Sequence, residues 1–205
     1  MTPRSSRIQS EVTRENIMDA AHALFLEQGY HATSMRQIGE RAGVTLGGIY
    51  NHFSGKEEIW VAVFSERHPV WQVAPILQRV EGSTTAEVVR SAARLMVEEL
   101  DKRNESVNLM LIEMVEFNAR HMPLLVESTL PVFLELGRLF QRQAGELRDI
   151  PLPTLLRSFV GLFFSYYMTR RLIPLEIMPI FGGDSLDLFV DIYLHGILKR
   201  EDDHA

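Results

Sequence analysis

The chain has 205 residues, 46% of them hydrophobic and 23% charged, with a net charge of −6; this is the profile of a globular protein with room for one large core or two smaller ones. It holds no cysteine, which excludes disulfide frameworks, thiolate metal sites and cysteine nucleophiles. The acidic balance excludes a broad basic field for nucleic acid, although residues 1–56 set Arg4, Arg7, Arg14, Arg36, Arg41 and Lys56 against only Glu11, Glu15, Asp19, Glu27 and Glu40. Any attraction to DNA must then come from a few placed cations and backbone amides.

Met1 to Gln9 is polar and leads into no apolar signal core, so an unexported, cytoplasmic protein is expected. The longest apolar stretch, between Arg157 and Arg170, is interrupted by Ser158 and Ser165. It falls short of the roughly 18–20 residues of a membrane span, so no membrane partner is expected. Strand-like alternation is scarce and helical spacing is general. The expected fold is all-α with about nine helices. An N-terminal domain over 1–56 precedes a larger helical domain over 57–205.

In chain order, residues 1–12 read as a mobile arm. A first helix is predicted from Thr13 to Gln28, with Ile17, Ala20, Ala21, Leu24 and Phe25 on one face and Gly29 as a left-handed cap. Three short segments follow. Ser34 with Gln37 forms a capping-box pattern, Gly43 ends that helix, Thr45 caps the next, and Ser54 with Glu57 forms another box. A helix from Lys56 to Arg67 is closed by Pro69. Gly82-Ser83 marks a boundary, and Thr84 with Glu87 opens a helix to Lys102. Further helices are predicted at Glu105–Arg120, closed by Pro123; at Leu124–Leu147, kinked or broken at Pro131; at Pro153–Leu172; and at Asp184–Lys199. Pro174, Pro179 and Gly182-Gly183 fall in the loop between the last two.

Three caps in quick succession predict two short helices joined by a tight turn. Gly39 is the small residue at their crossing and Gly43 is the turn. Ile49 anchors the second helix, with Ile38 and Val44 completing the small core. A helix of this length suits the DNA major groove, where base edges carry a full donor and acceptor code.

Thr33-Ser34, Ile38-Gly39, Ala42-Gly43-Val44-Thr45, Gly47, Tyr50, His52-Phe53 and Lys56-Glu57 before Ile59 closely resemble the signature of the TetR (tetracycline-repressor) family. Ala20-Ala21, Leu24-Phe25 and Gly29-Tyr30 resemble its first helix. The chain departs from that pattern at Leu46, where a basic residue is common, at Gly48, where Thr, Ser or Ala is usual, and at Gly39, usually Ala, for a helix cost of about 1 kcal/mol. The resemblance implies phosphate contacts from Ser34, Thr45, Tyr50, His52 and Lys56. Arg36, Leu46, Gly48 and Asn51 are the candidate base readers, Arg36 for guanine and Leu46 for a thymine methyl.

The segment Glu105–Arg120 is apolar around most of its circumference. Glu113 and Glu116 within it read as its single wet stripe, with Glu116 paired to Arg120; lining an otherwise greasy cavity is the other reading. Met96, Met110, Glu113, Met114, Phe117, Phe133, Phe163 and Tyr167 are candidate walls of an effector site, and the resemblance, not the spacing, implies that such a site exists. The last two long helices carry more apolar residues than one face holds, which predicts a second subunit against them. Phe159, Leu162, Tyr166, Phe189, Tyr193 and Gly196 are its candidate contacts. Leu188 and Ile192 extend the apolar stripe of the last helix sideways.

The resemblance implies a dimeric regulator, most simply a repressor of a near-palindromic operator that a small, largely apolar effector releases. Its partners are operator DNA, the effector and a second copy, with no cofactor. The alternatives are an activator or a protein-responsive regulator of the same fold. An all-helical metal enzyme is the reading from another class. It would need Glu-x-x-His pairs on core helices, and that spacing occurs only at Glu201 and His204.

Overall fold

A computed structural model describes residues 3–67, 79–102, 104–141, 147–174, 176–181 and 185–198. Among these are nine α-helices: α1 (Pro3–Ala32), α2 (Met35–Ala42), α3 (Leu46–Tyr50), α4 (Lys56–Arg67), α5 (Thr85–Lys102), α6 (Asn104–Glu116), α7 (Met122–Gln141), α8 (Leu152–Leu172) and α9 (Leu186–Ile197). A 3-10 turn spans Met178–Phe181. An isolated bridge pairs Leu147 with Leu198, and no strand occurs among the described residues. Pro69, Gly182, Gly183 and Lys199, expected at helix ends or in a loop, lie outside the described residues, as do Glu201 and His204. No helix among the described residues is long and apolar enough to cross a membrane.

Packing divides the chain into Met1–Trp71 with Asn104–Ser128, and Gln72–Arg103 with Thr129–Ala205. The first unit takes in α4 and α6, which run beyond the boundary at 56/57 expected from sequence.

In the first unit, the spacing of Ile17, Ala20, Ala21, Leu24 and Phe25 puts all five on one face of α1, and all five are buried. They share a core with Ile38 and Ile49 of the short helices, Ile59, Trp60, Val63 and Phe64 of α4, and Leu109 of α6. Two corrections concern α1. The expected arm is helical from Pro3 onward. Gly29 does break the helix, but with φ 82° and ψ 171°, an extended mirror-image geometry that only glycine adopts readily, not the left-handed helical cap. Charged straps join α1 to α4: Arg14 meets Glu66 at 2.7 Å, and Arg67 meets Glu15 at 2.6 Å and Asp19 at 2.8 Å.

In the second unit, α5, α8 and α9 pack around Val89, Ala93, Leu155, Phe159, Phe163, Val190, Tyr193 and Ile197. The box opening α5 forms as expected: Thr84 Oγ1 accepts the Glu87 amide at 3.2 Å, and the Glu87 carboxylate accepts the Thr84 amide at 3.3 Å. Helix α7 runs on through Pro131, so the expected break is absent. It also begins earlier than predicted, because Pro123 fits its first turn, where an amide has no helical partner.

Candidate nucleic-acid interface

The helix-turn-helix is assembled by its caps. Ser34 Oγ accepts the Gln37 amide at 3.2 Å, and Gln37 Oε1 accepts the Ser34 amide at 2.8 Å. Gly43 turns the chain with φ 67°, a left-handed geometry that glycine adopts without a Cβ penalty. Thr45 Oγ1 then accepts the Gly48 amide at 3.1 Å to start α3. A Cβ at Gly39 would lie 2.8 Å from the Val44 carbonyl oxygen. The small residue at the crossing is therefore needed against a backbone atom, which has no freedom to move aside. Ile38 and Ile49 are fully buried beneath this crossing. Ser54 caps α4 through Glu58, whose carboxylate takes the Ser54 amide at 2.6 Å, and not through Glu57 as the spacing suggested. That contact and the Ser54 hydroxyl hold the Glu58 carboxyl below its usual range.

This scaffold presents one outer face. Leu46 and Tyr50 remain 47% and 53% exposed although both are large and apolar in part. Ser34, Arg36, Thr45 and Asn51 are exposed as well, and His52 is half-buried. Arg36 bonds Glu40 one turn on at 2.9 Å, yet its side chain stays 85% exposed; an exposed pair of this kind contributes little and is easily exchanged for another partner.

Two expected contacts sit differently. Gly48 faces inward, since a Cβ there would meet Val44 Cγ1 at 2.6 Å, whereas a Cβ at Gly47 would meet open space. The bare outward backbone is at Gly47. Lys56, expected on a phosphate, donates to the carbonyls of Tyr30 and Thr33, both at 2.6 Å, and of His31 at 3.4 Å. Its burial pulls the ammonium below the ordinary lysine range, against the opposing pull of Glu116.

The candidate effector residues separate. Met110 is half-buried and Met114 exposed on α6. Phe117 stacks on Trp60 with ring centroids 5.0 Å apart, inside the first unit's aromatic cluster. Glu113 is not a wet stripe. It is fully buried and accepts Trp60 Nε1 at 2.8 Å and the His121 amide at 2.7 Å. Glu116 accepts the amides of Tyr30 and His31 at 3.1 and 2.7 Å, and Arg120 pairs with Glu57 instead. The amides of His31 and Tyr30 and the His31 ring hold the Glu116 carboxyl down against its partial burial. Phe163 and Tyr167 are buried in the second unit, where Met96 packs against the core. The Tyr167 hydroxyl is buried with no hydrogen-bond partner among the described residues. The Phe133 side chain lies outside the described residues.

Of the expected subunit contacts, Phe159, Tyr166 and Tyr193 are already buried by their own chain. The Tyr193 hydroxyl donates to the Leu155 carbonyl at 2.7 Å. Leu162 and Phe189 are half-buried against the same core. Gly196 is exposed, and Leu188 and Ile192, one turn apart on α9, are 55% and 63% exposed. The sequence held that signal in the sideways extension of the α9 stripe. Among the described residues, no group of three or more metal-ligating side chains gathers.

Residues 17–63 match the family model described as bacterial regulatory proteins, tetR family. SrpR, an HTH-type transcriptional regulator of Pseudomonas putida, is 43% identical over 68 residues, which cover 33% of this chain and 32% of SrpR. The chain thus matches about a third of that relative's length. A TetR family transcription regulator from Marinobacter aquaeolei VT8 shares the fold at a TM-score of 0.61 and 16% identity, over 95% of this chain and all of that one. SmeT, the repressor of the Stenotrophomonas maltophilia multidrug efflux pump SmeDEF, superposes with a TM-score of 0.61 and 25% identity over 92% of this chain and 91% of its own. SmeT is also known in complex with triclosan.

Proposed function

We propose that this chain, whose residues 17–63 match the tetR family model, is a ligand-responsive transcription regulator of that family: a repressor that grips a near-palindromic operator as a dimer and lets go when a small, largely apolar molecule enters its helical C-terminal domain. The observation that carries the reading is the outer face of α3. A capped helix of five residues is docked by buried Ile49, while Leu46, Gly47, Tyr50 and Asn51 point away from the core. A globular chain gains nothing by leaving Leu46 and Tyr50 in water, whereas a thymine methyl and a phosphate oxygen are suitable partners for them.

Ser34 and Thr45 add hydroxyls at the same face, Arg36 supplies its mobile cation, and His52 sits at its edge. Phosphate contacts, Tyr50 among them, would position the helix, and the side chains at 46 and 51 would read bases. A second copy is needed, because one five-residue helix reads too few base pairs for a specific site. The exposed apolar pair Leu188 and Ile192, with small Gly196 one turn beyond Ile192 on the same helix, is the face we assign to that contact. Effector binding would then favour a dimer whose recognition helices no longer match the operator spacing, a coupling worth about 1–3 kcal/mol. The Tyr167 hydroxyl, without a partner among the described residues at a cost of about 1–3 kcal/mol, supports an apolar effector that carries one hydrogen-bonding group.

The test is a footprinting titration of the purified protein on the DNA upstream of its own gene. The expected result is a two-fold symmetric protected site bound at least a thousandfold more tightly than random DNA. Equal affinity for both DNAs would refute the proposal.

A further inference from the structure

The turn between α1 and α2, from Gly29 to Thr33, is held from two sides by opposite charges, all within the first packing unit. On one side is Lys56, whose Nζ reaches the carbonyls of Tyr30, His31 and Thr33 and lies 4.1 Å from the Tyr30 ring centroid. An ammonium has three protons, and three carbonyls occupy them. On the other side is Glu116 of α6, whose two oxygens accept the amides of Tyr30 and His31 and contact His31 Nδ1. A Cβ at Gly29 would lie 2.6 Å from Glu116 Oε1, so the carboxylate fills the space that any other residue's side chain would need. The turn's donors and acceptors are thus met by one anion and one cation, each approaching where the backbone offers the opposite sign.

Ser34, the cap of α2, follows this turn directly. Its pose, and through the Gly39 crossing that of α3, is inherited from the clamped segment. We propose that Lys56 and Glu116 are positioning residues for DNA binding, a clamp that fixes the Gly29–Thr33 turn, and that Lys56 acts from inside the protein and not as a phosphate ligand. The inference rests on the DNA-binding reading above and overturns what the motif position implies for Lys56.

The experiment uses the full chain with Lys56→Met, Lys56→Arg, Glu116→Gln and the Lys56→Met/Glu116→Gln double variant. Amide hydrogen exchange at Tyr30 and His31 reports the clamp. Operator affinity as a function of salt, measured where each variant is fully folded by circular dichroism, reports its consequence. Lys56→Met and Glu116→Gln should each speed exchange of these amides and weaken operator binding by about tenfold, the order expected for losing hydrogen bonds to a charged group. The double variant should lose less than the product of the two, and Lys56→Arg should recover part of the loss. The slope of log affinity against log salt should stay at its wild-type value in Lys56→Met. A slope shallower by roughly 0.9, the signature of one lost phosphate contact, overturns the assignment of Lys56. Unchanged exchange, or wild-type affinity in the folded variants, overturns the clamp. A wild-type chain that binds no operator sinks the functional reading, and the exchange data still decide whether the clamp exists.

Discussion

Glu113 offers the most quantitative test of the first unit's packing. Its carboxylate is fully buried and takes the Trp60 indole N–H and the His121 amide at 2.8 and 2.7 Å. Truncation in Glu113→Ala leaves both donors without an acceptor, at about 1–3 kcal/mol each, and opens a space the size of one methylene and a carboxylate. Relief from keeping a carboxylate out of water returns part of that. The expected net loss is about 3–4 kcal/mol, a large part of a typical domain's 5–15 kcal/mol. Glu113→Gln keeps the volume and one acceptor oxygen but turns an amino group toward one of the donors, so it should lose about 1–2 kcal/mol. Urea unfolding followed by tryptophan emission in a Trp71→Phe background reads Trp60 directly. A Glu113→Ala variant within about 1 kcal/mol of wild type, or one more stable than Glu113→Gln, would refute the reasoning.

Gly29→Ala should cost about 2–4 kcal/mol in thermal unfolding, from the glycine-only geometry and from displacement of Glu116. The displacement component should vanish in a Glu116→Ala background. Burial pushes the Tyr193 hydroxyl up to about 12. Its folded-state value lies above the unfolded one of about 10, so its stabilisation is complete below about pH 10 and is lost as pH rises toward 12; Tyr193→Phe should flatten the urea midpoint across that window. Ile192→Asp, at an outward position of α9, should leave secondary structure intact and shift the protein to monomer in sedimentation velocity. A dimer that persists would move the self-association face elsewhere.

The helix-turn-helix was legible in the sequence because its determinants are local. Ser34, Gly43 and Thr45 act on amides within three residues, and spacing alone reveals such contacts. Glu113 and Glu116 were misread for the opposite reason. Trp60, Tyr30 and His31 lie more than fifty residues from them and His121 lies eight beyond Glu113, whereas helical periodicity sees only neighbours one turn off, which is why Arg120 looked like the natural mate of Glu116. The carbonyl partners of Lys56 were hidden in the same way, being over twenty residues back. On α8 and α9, composition correctly showed too many apolar residues for one face. It did not show which of them the chain covers for itself, so Tyr193 and Phe159 were assigned outward while Leu188 and Ile192 hold that place.

The inward bond of the Gly48 amide to Thr45 and the outward aspect of Leu46, Gly47, Tyr50 and Asn51 separate scaffold from lettering within α3. Anchoring is left to Thr45, Gly48 and Ile49, so residues 46, 47, 50 and 51 can be exchanged at little expense to folding. Under the proposed DNA-binding reading, sequence preference would therefore be open to rewriting by a small library at these sites, with the rest of the chain left untouched.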